Sequence, residues 1–209
     1  CIYGDYDVDG VSSVTLLHTI LRAYNIRTDY FIPVRTREGY GLSEEGMANA
    51  IAKCGGKPGL LISVDCGTSS VEEVAWLQEQ GIDVVILDHH EASTQGRPPA
   101  VAVVNAKLEE DSPFTYLCSA GVVFKLAHAM LKRRRLPQFD LKNYLDVVAI
   151  ATVADIVPLV EENRLLPRHG LRVMESGGNI GIQALNRVTN LNRRPSASHV
   201  SFRIGPRLN

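Results

Sequence analysis

The stretch Cys1-Ile2-Tyr3-Gly4-Asp5-Tyr6-Asp7-Val8-Asp9-Gly10 decides how the chain is read. A short apolar run ends on a glycine, three carboxylates follow at alternate positions, and a second glycine opens the segment Val11 to Tyr24. In that segment Val14, Leu17, Leu21 and Tyr24 keep the ~3.6-residue period of an amphipathic helix. Strand, turn and helix in this order make the first half of a βα unit. In open parallel sheets ligands bind beyond the carboxyl ends of the strands, so the acids stand where a site is expected. Acids this close repel one another unless a cation offsets them; a solvated acidic turn is the alternative. Asp5, Asp7, Asp9 and Gly10 also match the opening of an EF-hand loop, but the closing position that needs Glu holds Leu16.

The alternation continues outward from this stretch. Cys1 to Tyr3, Asp29 to Ile32, Leu60 to Val64, Val84 to Leu87 and, after the Pro98-Pro99 turn signal, Val101 to Val104 read as strands. Ser43 to Ala52 and Ser70 to Gln80 read as helices, each with a serine cap followed by two glutamates in the first turn. Beyond them the pattern is helical only: Ser119 to Lys132, Leu141 to Ala154, and Asn163 to Val188 with a break at Gly177-Gly178. The basic run Lys132 to Arg135 suits a helix C-terminus, with a DNA contact as the other reading. The expected fold class is α/β, a parallel sheet of about five strands flanked by helices with a helical second half.

With 209 residues, 45% hydrophobic and 22% charged, the chain can bury a core. Its formal net charge of -1 gives no bulk argument for nucleic acid, so such a partner has to be argued from local sites. No apolar run approaches the ~18 residues of a membrane span, and no signal-peptide pattern opens the chain. Cys1, Cys54, Cys66 and Cys118 lack the close pairing of a zinc site and are too few to staple a chain of this length, which leads to the expectation of a reduced, cytoplasmic protein. The opening on a strand and the close on Gly205-Pro206-Arg207-Leu208-Asn209 read as a fragment of something longer.

Further site residues follow the same logic. Asp65 directly follows Leu60 to Val64, and Asp88-His89-His90 directly follows Val84 to Leu87. Three of the expected strand ends thus deliver acids or imidazoles to one edge of the sheet. Asp155 ends a long apolar helix, where a carboxylate needs a partner such as a cation; an N-cap or a turn before Pro158 is the alternative. Mixed carboxylate and imidazole ligands suit Mn²⁺ or Mg²⁺ better than structural zinc.

With these motifs in place, the chain resembles the DHH phosphoesterase superfamily, whose name is the Asp88-His89-His90 motif, and within it the RecJ-type exonuclease branch. Tyr3 to Gly10, Glu38-Gly39-Tyr40-Gly41-Leu42, Val64-Asp65-Cys66-Gly67, Ser119-Ala120-Gly121-Val122, Thr152 to Leu159 and Gly205 to Asn209 are similar to that branch, in that order. The resemblance implies a DHH catalytic domain over residues 1–209, with an N-terminal segment and C-terminal DHHA1-like and OB-like domains outside it. It implies 5′-to-3′ digestion of single-stranded DNA in repair and recombination, by water activated between two Mn²⁺ or Mg²⁺ ions, with a single-strand-binding protein or a helicase as protein partner. The implied ligands are Asp7, Asp9, Asp65, His89 and Asp155, with Asp65 between the ions and Asp5 as a further ligand or a group behind it. His90 would face the scissile phosphate, Arg35 would capture a terminal 5′-phosphate, and Arg207 falls in a segment similar to a substrate-binding one. Many members of the superfamily carry a metal-binding His four residues before the first Asp of a D-x-D pair. Counted back from Asp7, that position is Tyr3, which leaves its place to Asp5 or to water. Two other functions remain: a phosphoesterase for oligoribonucleotides, phosphoadenosine phosphate or cyclic dinucleotides, and an inactive replication scaffold, against which the full set of acids and histidines argues.

Overall fold

In the computed structural model the described residues are 1–191 and 195–209. Among them, strands β1 (Ile2–Gly4), β2 (Tyr30–Phe31), β3 (Leu60–Val64), β4 (Asp83–Leu87) and β5 (Ala102–Val104) form one parallel sheet in the order β2-β1-β3-β4-β5. The expected strands are all present, with ends displaced by a residue or two; the largest departure is β2, which pairs only through Tyr30 and Phe31.

The register aligns the carboxyl ends. Gly4 pairs with Val64, Val64 with Leu87 and Leu87 with Val104, so Asp5, Asp65, Asp88 and Asn105 come next as a row across four strands. The Asp65 N–H donates to the Leu87 carbonyl at 3.0 Å and the Asp88 N–H to the Val104 carbonyl at 3.1 Å, extending the ladder into that row. The chain leaves β1 for β2 on one side and returns to β3 on the other, which puts the change of winding direction between Asp5 and Asp65.

The central strands β1, β3 and β4 are covered on both faces, which is why they read as largely apolar runs, whereas the edge strands β2 and β5 are partly exposed. Ile2, Val64 and Leu87 pack with Leu17 and Ile20 of α1 (Val8–Ala23) and Val123 of α4 (Ser119–Arg133). Tyr3, Leu61, Val84 and Ile86 face the other way, onto Met47 of α2 (Glu44–Lys53) and Leu77 of α3 (Val71–Glu79).

Helix α1 begins at Val8, three residues earlier than its apolar period indicates. Asp7 takes an extended backbone and accepts the Gly10 N–H at 3.0 Å, capping the helix and drawing Asp9 into its first turn. A Cβ on Gly10 would run into the Asp5 backbone, so glycine is required for this tight return. Ser43 caps α2 as expected, by accepting the Gly46 N–H at 3.1 Å. Ser70 does not cap α3: its φ of -91° and ψ of 63° lie outside the extended geometry that a capping side chain uses.

In the second half, a 3-10 turn (Leu141–Tyr144) leads into α5 (Leu145–Ala154), followed by α6 (Glu161–Glu175), α7 (Ile180–Val188) and the short α8 (Ala197–His199), which continues into a π-helical turn (Val200–Ile204). The expected break falls at Gly177, at φ 108°. Helix α5 is buried along its whole length up to Val153, with Val147, Ile150 and Val153 against Met174, Ile182, Val200 and Ile204. It is the rigid rod that delivers Asp155, its C-cap, to the sheet edge. No helix among the described residues is long and apolar enough to cross a membrane.

Helix α6 approaches α5 through Gly170, where a Cβ would fall on the Leu145 carbonyl oxygen. Gly170→Ala is therefore expected to force the helices apart and to lower stability by about 1–3 kcal/mol. Urea unfolding measures this, and an unchanged midpoint would contradict the packing described.

Candidate metal centre

The row at the sheet edge gathers most of the expected residues. His89 Nε2 lies 3.3 Å from Asp65 Oδ1, 3.6 Å from Asp155 Oδ2 and 3.7 Å from Asp9 Oδ2. Ligand atoms of Asp9, His89 and Asp155 lie within 4.8 Å of one another, as do those of Asp5, Asp7 and Asp65 and those of Asp65, His89 and His90. These are overlapping groups that meet at the Asp65 and His89 contact. Each could hold a divalent cation, the Asp5, Asp7 and Asp65 group through carboxylate oxygens alone and the other two through oxygen and imidazole.

The acids are held in place from several directions. Asp9 is 1% exposed and accepts the Ser119 N–H at 2.6 Å and the Ala120 N–H at 2.9 Å, so its carboxylate sits on the N-terminus of α4. Asp5 accepts the Tyr6 N–H at 2.8 Å. Asp65, also 1% exposed, adopts φ 63°, a left-handed conformation uncommon outside glycine, imposed where the chain leaves β3. Its two carboxylate oxygens, His89 Nε2 and Asp155 Oδ2 are all buried with no hydrogen-bond partner. The Ser119 hydroxyl is near enough to ease the charge on Asp65 without reaching good hydrogen-bond geometry.

Buried polar atoms left unpaired are costly, and here they point at one another. Burial, reinforced by neighbouring acids, pushes Asp5 and Asp9 up to about 6, Asp155 up to about 7 and Asp65 well above the usual carboxylate range. Burial and then the charge of His90 lower His89 to about 4, so at neutral pH its ring is uncharged and its short contacts are not ion pairs. The donor set thus combines crowded carboxylates with a neutral imidazole, the arrangement that a cation would satisfy.

The three residues of the Asp-His-His motif do different things. Asp88 is turned into the fold, where it accepts the Thr68 N–H at 3.0 Å and the His89 N–H at 2.8 Å and holds His90 Nδ1 at 2.8 Å. Burial would raise its pKa, but the His90 and Thr68 hydrogen bonds win and hold it well below the usual range. The same bond to Asp88 raises His90 despite burial. His90 is more open than His89, and its Nε2 meets the Tyr40 hydroxyl at 3.1 Å.

Arg35 sits over the ring of Tyr6, the residue between Asp5 and Asp7, its guanidinium 5.4 Å from the ring centre. Arg207 is exposed on a 3-10 turn (Gly205–Arg207) and donates to the Arg203 carbonyl; its segment is tied to the site through Asn209 Oδ1, which accepts the Val8 N–H at 3.0 Å. Tyr3 is fully buried on the α2 face and donates to the Gly41 carbonyl at 3.0 Å. Sequence reasoning assigned no role to Tyr40, Asn105, Lys107 or the Ser119-Ala120 amides. Tyr40 and the two amides lie in motifs already singled out, the amides at an expected helix start, whereas Asn105 and Lys107 had no such signal.

The model of the DHH family, N-terminal domain, matches residues 1–152 of the chain. The single-stranded-DNA-specific exonuclease RecJ of Haemophilus influenzae is 40% identical over 219 residues, covering 100% of this chain and 37% of that protein. The protein of that name from Bacillus subtilis is 38% identical over 210 residues, covering 100% of this chain and 25% of that protein. A crystal structure of exonuclease RecJ bound to manganese superposes with a TM-score of 0.86 at 33% identity, covering 99% of this chain and 51% of that one. The chain therefore spans only part of the length of each protein it resembles.

The raised carboxylates have a signed consequence. A group whose folded pKa exceeds its unfolded value adds stability that is present at low pH and is lost as pH rises through the folded value. Asp65→Asn removes one such group. In EDTA, its Tm relative to the parent protein should climb as pH rises above the unfolded carboxylate value of about 4, and Mn²⁺ should reverse the order by stabilising the parent more. A Tm difference that does not change with pH would contradict the electrostatic description.

Proposed function

This chain belongs to the DHH family, and from that premise we propose that it carries the chemistry of a Mn²⁺-dependent exonuclease that removes nucleotides from the 5′ ends of single-stranded DNA. The observation that carries the proposal is the convergence of Asp65, His89 and Asp155 atoms that are buried and unpaired at the carboxyl edge of the sheet. Residues that would hold the metal are Asp9, His89 and Asp155 on one side and Asp5, Asp7 and Asp65 on the other, with the Asp65 and His89 contact between them. When bound, such ions lower the pKa of water and offset charge on phosphoryl oxygens.

The chain's own residues supply the rest. The Asp88 carboxylate fixes the ring of His90 and favours its protonated form, so that Nε2 can donate to a non-bridging oxygen or to the departing 3′-oxygen. To do so, Nε2 exchanges the Tyr40 hydroxyl for the phosphate. Arg35, on the β2 side, presents a planar fork suited to a terminal phosphate, and Arg207 supplies a second such group on the turn anchored to the start of α1. Further grip on the strand belongs, in this proposal, to DHHA1-like and OB-like domains outside residues 1–209.

The test is hydrolysis of a labelled 5′-phosphorylated single strand with Mn²⁺, beside duplex DNA, oligoribonucleotides, phosphoadenosine phosphate and cyclic dinucleotides. Preferred cleavage of the single strand from its 5′ end is expected. Asp65→Asn should abolish it, and His90→Ala should lower kcat about 10²–10⁴-fold. Preference for a small substrate, or full activity in Asp65→Asn, would overturn the proposal. Arg35→Ala is expected to raise KM more for 5′-phosphorylated strands than for 5′-hydroxyl strands.

A further inference from the structure

Beyond the acids, the row at the sheet edge ends on the β5 side with Asn105, 4% exposed and fully engaged. Its Nδ2 donates to Thr68 Oγ1 at 2.9 Å and to the His90 carbonyl at 2.8 Å, while its Oδ1 accepts the Lys107 N–H at 3.0 Å. A short 3-10 turn (Ala106–Leu108) is thereby fastened to the loop that carries the two histidines. The ammonium of Lys107 consequently reaches that loop, 2.9 Å from Glu91 Oε1, in the residue immediately after His90. It is also close enough to His89 and Asp155 for its charge to act on both.

Lys107 thus brings a cation to the β5 side of a cluster made mostly of acids. The Lys107 side chain is 28% exposed, whereas its Glu91 partner is 83% exposed. An exposed ion pair of this kind contributes little and yields readily to a stronger anion. Arg35 follows β2, at one edge of the sheet, and Lys107 follows β5, at the other. Four strand spacings of ~4.8 Å separate the two edges by ~19 Å, with the candidate metal centre between them.

Resting on the function proposed above, we infer that Lys107 binds the backbone phosphate on the 3′ side of the scissile one. The strand then lies across the carboxyl edge of the sheet, its 5′ end over β2 and its continuation over β5. Glu91 holds the ammonium in place until the phosphate displaces it. The contact is electrostatic and reads no base, so it acts alike on all sequences.

The experiment uses Mn²⁺ and two phosphorylated substrates, a dinucleotide that ends at the scissile linkage and a strand of about ten nucleotides. In Lys107→Gln, kcat/KM should fall several-fold more on the long strand than on the dinucleotide, mainly through KM. The slope of log kcat/KM against log salt on the long strand should become shallower by about 0.7, the value for one phosphate contact to a single strand. Lys107→Arg should restore the long-strand rate. Glu91→Gln should raise kcat/KM on the long strand, and in the Glu91→Gln, Lys107→Gln double variant that gain should disappear. Equal losses on both substrates, an unchanged salt slope, or a Glu91→Gln gain that survives without Lys107 would overturn the inference. The parent protein separates the two levels: if it digests neither substrate, the exonuclease proposal falls and this inference with it, whereas a parent that digests the long strand while Lys107→Gln matches it defeats the inference alone.

Discussion

Mutual repulsion among carboxylates that the fold has taken out of water is the constraint on which the rest of the structure depends. A parallel sheet whose strands end in register delivers Asp5, Asp65 and Asp88 side by side. The capped start of α1 adds Asp7 and Asp9, and the buried rod of α5 adds Asp155. The protein relieves only part of this charge. Backbone amides of α4 serve Asp9, and Thr68 with the two histidine amides serves Asp88. Asp65 accepts no hydrogen bond of this kind: it is as deeply buried as Asp9 and Asp88, and both of its oxygens stay unpaired. Without a cation the cluster answers by holding protons; with one, the same crowding becomes binding energy.

The two adjacent histidines show how one motif yields two electrostatic environments. His89 points into the cluster, loses solvent and becomes neutral, which suits a ligand. His90 points outward, is backed by Asp88 and gains affinity for a proton, which suits a donor to phosphate. Asp88 does no chemistry of its own in this scheme; it orients the ring beside it. Tyr3 is committed to the α2 face and the Gly41 carbonyl, so Asp5 is the nearer candidate for the coordination position that the resemblance leaves to Asp5 or to water.

Much of this was legible from residue order. Strands covered on both faces read as apolar runs, and a carboxylate directly after such a run lies at the sheet's carboxyl edge whatever the exact register, so Asp5, Asp65 and the Asp88-His89-His90 motif could be located without coordinates. Asp155 could be located because a carboxylate at the end of a wholly apolar helix has few tolerable surroundings. Features that depend on long-range closure were not legible. The Ser119 and Ala120 amides reach Asp9 across more than half of the chain, the Tyr40 hydroxyl reaches His90 from a glycine-flanked loop, and Asn105 and Lys107 look like ordinary polar residues after an edge strand. Local rules also failed where backbone geometry overrode residue type: Ser70 has the composition of a cap and the wrong ψ, and α1 starts on Val8 because the Asp7 side chain bonds to Gly10, which apolar periodicity does not register.

The central claim is that the crowded edge of the sheet is a cation site. Anomalous diffraction from a crystal soaked in Mn²⁺ tests it most directly. The account predicts two manganese peaks, one among Asp9, His89 and Asp155 and one among Asp5, Asp7 and Asp65, with Asp65 between them. A map with no peak at this edge, or with manganese bound only elsewhere on the protein, would contradict it.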